Sequence, residues 1–231
     1  DIRGPMMVQT RISELLAAML PHVVFDGWSQ ASFEYAVADV NMDPGLAAIL
    51  APRGAIDLAV AYHRQGDALM LEGYRTTPTD SLKIREKITL AVRLRLEAIG
   101  DKEAVRRASS FFALPRNAAE GAKLIWGTAD HIWTMLGDSS QDVNWYSKRV
   151  TLSAVYGATV LFWLGDDCPS HENTWAFLDR RIENVMQVEI FKGRIRANKP
   201  LSAALVGPLW LLGKIKAPKP RHDMPGRSPE S

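Results

Sequence analysis

The chain has 231 residues, of which 47% are hydrophobic and 23% charged, and a formal net charge of +2. Such a chain can bury one sizeable core, so one soluble folded domain with appendages is expected. Cys168 is the only cysteine, which excludes an internal disulfide and points to a reducing compartment.

The small net charge hides an asymmetry. After Glu189 stand nine basic residues against Asp223 and Glu230, so a tail of +7 follows a body of −5. An acidic body and a cationic tail call for different partners.

Residues 1–5 are set aside, and the chain is read from Met6. The first apolar run, residues 12–24, is broken by Ser13, Glu14, Pro21 and His22, so it does not read as a signal peptide. Residues 15–20 predict a short helix ending near Pro21. Residues 32–42, 45–50 and 55–64 predict three more, punctuated by Asp43-Pro44, Pro52 and Gly66. Ile84, Ile88, Val92, Leu96 and Ile99 form one stripe of a long helix that stops at Gly100. Ala118, Ala122, Ile125, Ala129, Trp133 and Leu136 form another, ended by Gly137-Asp138. Two long helices follow, over 145–166 and 171–190, separated by Asp166-Asp167-Cys168-Pro169. With no period-2 strand pattern, the fold class is all-α.

Short helices ahead of a long bundle is the layout of a TetR-type regulator, with a helix-turn-helix head and a ligand-enclosing body. Charge argues against DNA. From residue 10 to 65 the bases are Arg11, Arg53 and Arg64, against Glu14, Asp26, Glu34, Asp39, Asp43 and Asp57. A reader head should be basic, because phosphate neutralisation supplies non-specific affinity. The candidate recognition segment, Gly45-Leu46-Ala47-Ala48-Ile49-Leu50, has no side chain for base edges. The head is expected to have lost nucleic acid. A ligand-responsive transcriptional regulator is the alternative.

The most distinctive stretch is Asp142-Val143-Asn144-Trp145-Tyr146-Ser147-Lys148-Arg149. Asp142 or Asn144 can cap a helix whose first turn carries Trp145 and Tyr146. Successive helical residues diverge by about 100°, so one stripe does not bury both rings. Trp, Tyr and Arg together are hot-spot composition, and a wedge into the core is the competing reading.

Catalytic signatures are missing. No His has a Glu three residues before it, as a di-iron bundle needs, and no Gly-x-Gly, Walker A or Gly-x-Ser-x-Gly occurs. Asp130-His131 is the best acid/base pair, but adjacent helical residues point apart. Asp167 and His171 are interrupted by Pro169, and Cys168 has acidic neighbours that oppose thiolate formation. The chain reads as no enzyme, with no metal site.

The tail suits a membrane surface. Thirteen residues, 201–213, reach only about 20 Å as a helix, short of a ~30 Å hydrocarbon core. They can lie in the interface with Leu201, Leu205, Leu209, Trp210 and Leu212 inserted and Lys214 and Lys216 near lipid phosphates. Packing on its own or a neighbouring subunit is the alternative. Beyond Ala217 the composition predicts disorder. The domains expected are a degenerate head (6–66), a bundle (67–192), a membrane helix (193–217) and a tail (218–231).

Trp126, Asp130-His131-Ile132-Trp133, Gly137-Asp138-Ser139, the run from Asp142 to Arg149, Leu152, Val155-Tyr156 and Thr174-Trp175-Ala176-Phe177-Leu178-Asp179-Arg180-Arg181-Ile182 together carry a resemblance. So does Phe25-Asp26-Gly27-Trp28-Ser29. They resemble the coenzyme Q biosynthesis accessory family, the ninth of the Coq proteins, in its bacterial form. Ser147 stands where that family commonly has threonine.

The resemblance implies a TetR-like fold without DNA binding, an internal pocket for an isoprenoid quinone lipid, homodimerisation through the last two long helices, and a C-terminal membrane helix. It implies no cofactor beyond that lipid. The partner implied is the hydroxylase that oxidises demethoxyubiquinone, of di-iron or flavin type. It would dock on Asp142, Asn144, Trp145 and Tyr146, with Lys148 and Arg149 beside them. The expected lipid-lining residues, chosen because they recur on one helical face, are Trp126, Trp133, Val155, Thr159, Phe162 and Trp163. The expected location is the cytoplasmic face of a bacterial inner membrane, or the matrix side in a eukaryote.

Overall fold

The computed structural model describes residues 3–141 and 143–197, with side chains for 7–141, 143–185 and 187. Asp142 and residues 198–217 of the expected membrane helix, Leu201 to Lys216 included, lie outside the described residues. Nine helices run through the described part: α1 (Arg3–Asp26), α2 (Gln30–Asp39), α3 (Pro44–Leu50), α4 (Ala55–Thr76), α5 (Ile84–Glu97), α6 (Lys102–Ala113), α7 (Pro115–Met135), α8 (Val143–Leu164) and α9 (Glu172–Ala197). The all-α expectation holds there.

Local signals set most ends. α1 stops at Gly27, whose φ of +69° suits a residue without Cβ and whose N–H donates to the Val23 carbonyl at 2.9 Å. Ser29 caps α2 by accepting from the Ser32 N–H at 3.2 Å, and Asp43 caps α3 by accepting from Leu46 N–H at 2.9 Å. Pro44 and Pro115 each sit in a first turn, where a missing N–H costs nothing.

Two expected stops are not stops. α1 runs through Pro21, because Leu15, Leu16, Met19 and Val23 are all buried along it and their packing outweighs one lost backbone bond. α4 runs through Gly66 to Thr76, so the expected boundary at 66/67 falls inside a helix. α6 is a further helix, lying between the expected ones. Asp101 caps it through the Glu103 and Ala104 N–H groups. Its Lys102 and Arg106 donate to the Asp166 and Leu164 carbonyls at 2.7 and 2.9 Å, covering orphan acceptors at the end of α8.

Two apolar clusters divide the chain. The first joins α1, α2 and the start of α4 around Leu15, Met19, Val23, Phe33, Ala36 and Leu58. The second joins α4, α5, α7, α8 and α9 around Met70, Val92, Leu96, Ile132, Leu152 and Leu178. Tyr62 packs against both, and Trp28 Nε1 donates to the Ala104 carbonyl at 3.2 Å, tying head to body. On α3, Leu46 and Ile49 are 37% and 76% exposed. The nearby Arg53 is held by Asp57 at 2.7 Å and Glu120 at 3.4 Å, so the cation next to the would-be reading helix is already neutralised.

Candidate ligand cavity and aromatic surface

Five elements enclose a cavity of about 400 Å³, within the usual range for ligand sites. Small residues make the space: Ala59 on α4, Ala108 on α6, Gly121 and Ala122 on α7, and Gly157 on α8. Gly121 also lets α6 and α7 close, since a Cβ there would lie 2.8 Å from the Phe112 Cβ. Phe112, Leu124, Ile125, Val160 and Leu161 complete an apolar lining. Leu161 is 66% exposed and marks the outer end; Arg95 is 1% exposed and marks the inner one.

The inner end is polar. Arg95 on α5 donates from Nε to Asp67 Oδ1 at 2.6 Å and from Nη2 to the His63 carbonyl at 2.9 Å. Thr128 Oγ1 donates to Asp67 Oδ1 at 2.9 Å, so the His63 Nε2–H donates to Thr128 at 2.8 Å. His131 Nδ1 lies 3.3 Å from Asp67 Oδ2. Asp130 and His131, adjacent in sequence, therefore serve different partners: Asp130 accepts from Arg149.

Gly66 explains how the guanidinium fits. A Cβ there would lie 2.4 Å from Arg95 Nη1 and 2.5 Å from Cζ. Gly66→Ala gains up to about 1 kcal/mol of helix propensity. It displaces a buried ion pair whose breakage costs about 3–5 kcal/mol. The expected net loss is about 2–4 kcal/mol, a fall in Tm on the order of 10 °C by calorimetry. An unchanged Tm would place Arg95 elsewhere.

The same cluster sets a pH dependence. Burial and the Arg95 charge push His63 down to about 4. An unfolded histidine takes its proton near pH 6.5, so stability falls as pH drops from 6.5 towards 4, by on the order of 3 kcal/mol. The hydrogen bond to Asp67 raises His131 instead. Its contribution is complete below pH 6.5 and is lost as pH rises through the raised folded value. Burial pushes the Asp67 carboxyl up, but His131, His63 and Arg95 outweigh it and hold it below the usual range, so its contribution is lost only in stronger acid. Urea midpoints should peak near pH 6.5. His63→Gln should flatten the acid limb and His131→Gln the alkaline limb; a limb unchanged by its own variant refutes that assignment.

The aromatic motif opens α8. Trp145 and Tyr146 fall in its first turn, edge to face at 4.8 Å, and Trp126 of α7 lies 5.9 and 6.4 Å from them. All three rings are partly exposed, as is Asn144. Beneath them lies an ionic knot. Arg149 is 2% exposed, and its guanidinium carbon sits 4.0 Å from the Trp145 ring centre. It donates from Nε to Asp130 at 2.5 Å and from Nη1 to Asp138 at 2.9 Å. Lys148 reaches Asp138 at 2.6 Å and Ser140 at 2.7 Å, and the Lys148 carbonyl accepts from Trp133 Nε1 at 3.1 Å. Burial pushes the Asp138 carboxyl up, but Lys148, Ser140 and Arg149 together hold it well below the usual range. The two basic residues of the motif thus join α7 to α8. Arg149→Met leaves the buried Asp138 with Lys148 and Ser140 alone and returns the part-exposed Asp130 to water, so a loss of about 3 kcal/mol is expected in urea unfolding. A loss under about 1 kcal/mol would mean the knot carries little.

The expected lipid residues fall in different places. Trp133 and Val155 line a second cavity of about 310 Å³ between α5, α7, α8 and α9. Thr159 and Trp163 are buried, the first bonded to the Val155 carbonyl at 2.7 Å. Phe162 stacks on Phe177 at 4.5 Å, and Trp126 joins the aromatic cluster. The larger cavity takes Tyr156, Gly157, Val160 and Leu161 from α8 instead. Sequence reading missed Arg95, Asp67 and His63. The available signals were an arginine inside the apolar stripe of α5 and a glycine inside α4.

Among the described residues no single helix is long and apolar enough to cross a membrane, and no group of three or more His, Cys, Asp or Glu could hold a metal ion.

Comparison with known proteins gives a consistent picture. A family model described as COQ9 matches residues 118–189. The probable ubiquinone biosynthesis protein coq9, mitochondrial, of Dictyostelium discoideum is 30% identical over 191 residues, covering 79% of this chain and 62% of that one. Ubiquinone biosynthesis protein COQ9-A, mitochondrial, of Xenopus laevis is 28% identical, with 75% and 57% covered. The Homo sapiens COQ9 protein is 38% identical over 82 residues, with 36% and 26% covered. The chain thus spans about 60% of the length of the first two relatives. Among solved structures, a TetR transcriptional regulator from Nitrosomonas europaea superposes with a TM-score of 0.63 at 15% identity, covering 75% of this chain and 97% of that one. That likeness gives the fold: TetR-like and all-α.

Proposed function

Because this chain belongs to the COQ9 family, we propose that it is a non-catalytic accessory protein of ubiquinone biosynthesis. It holds an isoprenoid quinone precursor and presents it to the demethoxyubiquinone hydroxylase. The observation that carries this reading is the apolar cavity running from buried Arg95 to exposed Leu161. A polyprenyl chain leaves a bilayer without large loss only if an equally apolar wall replaces lipid, at about 25 cal/mol per Å². Ala59, Phe112, Leu124, Ile125 and Val160 supply such a wall.

The hydroxylase docks on Asn144, Trp145 and Tyr146, which are partly exposed on the first turn of α8. Asp142, outside the described residues, joins them by adjacency in the chain. Lys148 and Arg149 support this surface from beneath. Two copies pair through α8 and α9; the exposed Val150 on α8, at 56%, favours that face. The segment with Leu201, Leu205, Leu209, Trp210 and Leu212, flanked by Lys214 and Lys216, holds the protein on an anionic membrane surface. Against a transcriptional regulator stand the acidic head, the apolar α3 and the neutralised Arg53.

The test is lipid extraction and mass spectrometry of protein purified from ubiquinone-making cells. An isoprenoid quinone intermediate in near-stoichiometric amount is expected. Absence of any co-purified isoprenoid, together with no binding of an added short-chain quinone, would overturn the reading.

A further inference from the structure

The inner end of the cavity holds a group that folding alone leaves unsatisfied. Three of the guanidinium's atoms must be accounted for at Arg95: Nε goes to Asp67 and Nη2 to the His63 carbonyl, while Nη1 is buried without a hydrogen-bond partner. A buried, charged donor left without an acceptor is strongly unfavourable, and native proteins rarely keep one without a use. Arg95 lines the cavity, as do the side chains of Tyr62, His63, Ser109 and Tyr156. The rest of that lining is mainly apolar.

We infer that this end is a head-group site, in which Arg95 Nη1 donates to a carbonyl or phenol oxygen of a ring whose apolar substituent runs towards Leu161. The inference rests on the reading that the cavity holds a quinone precursor, and deepens it by naming what recognises the ring. Charge selects among oxygenated heads. Asp67 already neutralises Arg95 at 2.6 Å, so a carboxylate head would be buried with no free counter-charge. A neutral oxygen needs only the unused N–H. The site therefore prefers a quinone or phenol to a fatty acid of equal length.

Isothermal titration of the full chain tests this with 2-decyl-1,4-benzoquinone, decylbenzene and undecanoic acid. The quinone should bind at least about tenfold more tightly than either of the others. Arg95→Lys keeps a cation at Asp67 and removes Nη1. It should bring the quinone-to-decylbenzene ratio within about threefold. Equal binding of quinone and decylbenzene to the unaltered protein, or a ratio that survives Arg95→Lys, overturns the head-group site and leaves the lipid reading standing. Binding of none of the three overturns both. If the lysine variant does not fold, infrared spectra of the carbonyl-¹³C quinone on the unaltered protein decide. A carbonyl stretch moved to lower wavenumber supports the donor, and an unmoved one refutes it.

Discussion

Gly157→Leu should empty the cavity and leave the protein folded. Gly157 lies in the middle of α8 on the cavity wall, and a Cβ there would meet only Ile125 Cδ1, at 3.9 Å, an ordinary contact. The backbone tolerates the change, because replacing an interior helical glycine with leucine gains up to about 1 kcal/mol of propensity. The added branch then occupies space that a ligand would fill. Each CH₂ kept out of an apolar wall forfeits about 0.8 kcal/mol, so displacing one five-carbon isoprene unit costs about 4 kcal/mol, close to 10³-fold in affinity. Extracted isoprenoid per mole of protein and the Kd for an added short-chain quinone should both report this. Tm should stay within a few degrees of the unaltered protein. Wild-type lipid content in a well-folded variant would move the lipid site elsewhere, with the second cavity beside Trp133 and Val155 the next place to test.

That test also shows where sequence reading ran out. The stripe Val155, Thr159, Phe162 and Trp163 is a genuine apolar face of α8, and Thr159 and Trp163 are buried. Yet Tyr156 and Val160, about 100° round the helix, and Gly157, nearly opposite the stripe, face the larger cavity. Periodicity finds an apolar face, but a helix with apolar neighbours on more than one side has several. Only the packing of α6 and α7 decides which one meets a space. Pro21 and Gly66 failed as stop signals for a related reason. Their local cost is set against tertiary gains, from Leu16, Met19 and Val23 in one case and from the Arg95 guanidinium lying over Gly66 in the other. The pairing of Asp67 with Arg95, 28 positions apart, has no local signature at all. What local chemistry governs was legible: the all-α class, the break at Asp43-Pro44, the absence of base-reading side chains on α3, and Trp145 and Tyr146 in the first turn of α8.

Replacing Trp145 and Tyr146 together by alanine should abolish hydroxylase binding and preserve both fold and lipid. The two readings of this pair, core wedge and docking patch, now differ by quantities that can be weighed. Loss of the wedge costs the Trp145–Arg149 stacking, worth about 1–2 kcal/mol, and the contacts with Trp126, worth about 1 kcal/mol beyond area. The ionic knot survives, because Asp130 and Asp138 hold Arg149 without help from either ring. A domain of this size tolerates that loss with a Tm lower by several degrees. Loss of the docking patch costs more: a partly exposed Trp–Tyr pair at the centre of an interface carries 2 kcal/mol or more per ring. The rings touch at 4.8 Å, so the two losses are not simply additive, and a drop of 10²-fold or more in affinity is the expected result. Titration of the hydroxylase against the variant measures it, with co-purified lipid and Tm as controls. Unfolding of the double variant would assign the rings to the core. Wild-type affinity in a folded variant would move the docking surface off α8. Trp126→Ala separates contact from support, since Trp126 lies beside both rings but on α7. If it weakens hydroxylase binding as much as the double change does, the three-ring cluster acts as one surface, and its orientation is set by the knot at Asp138.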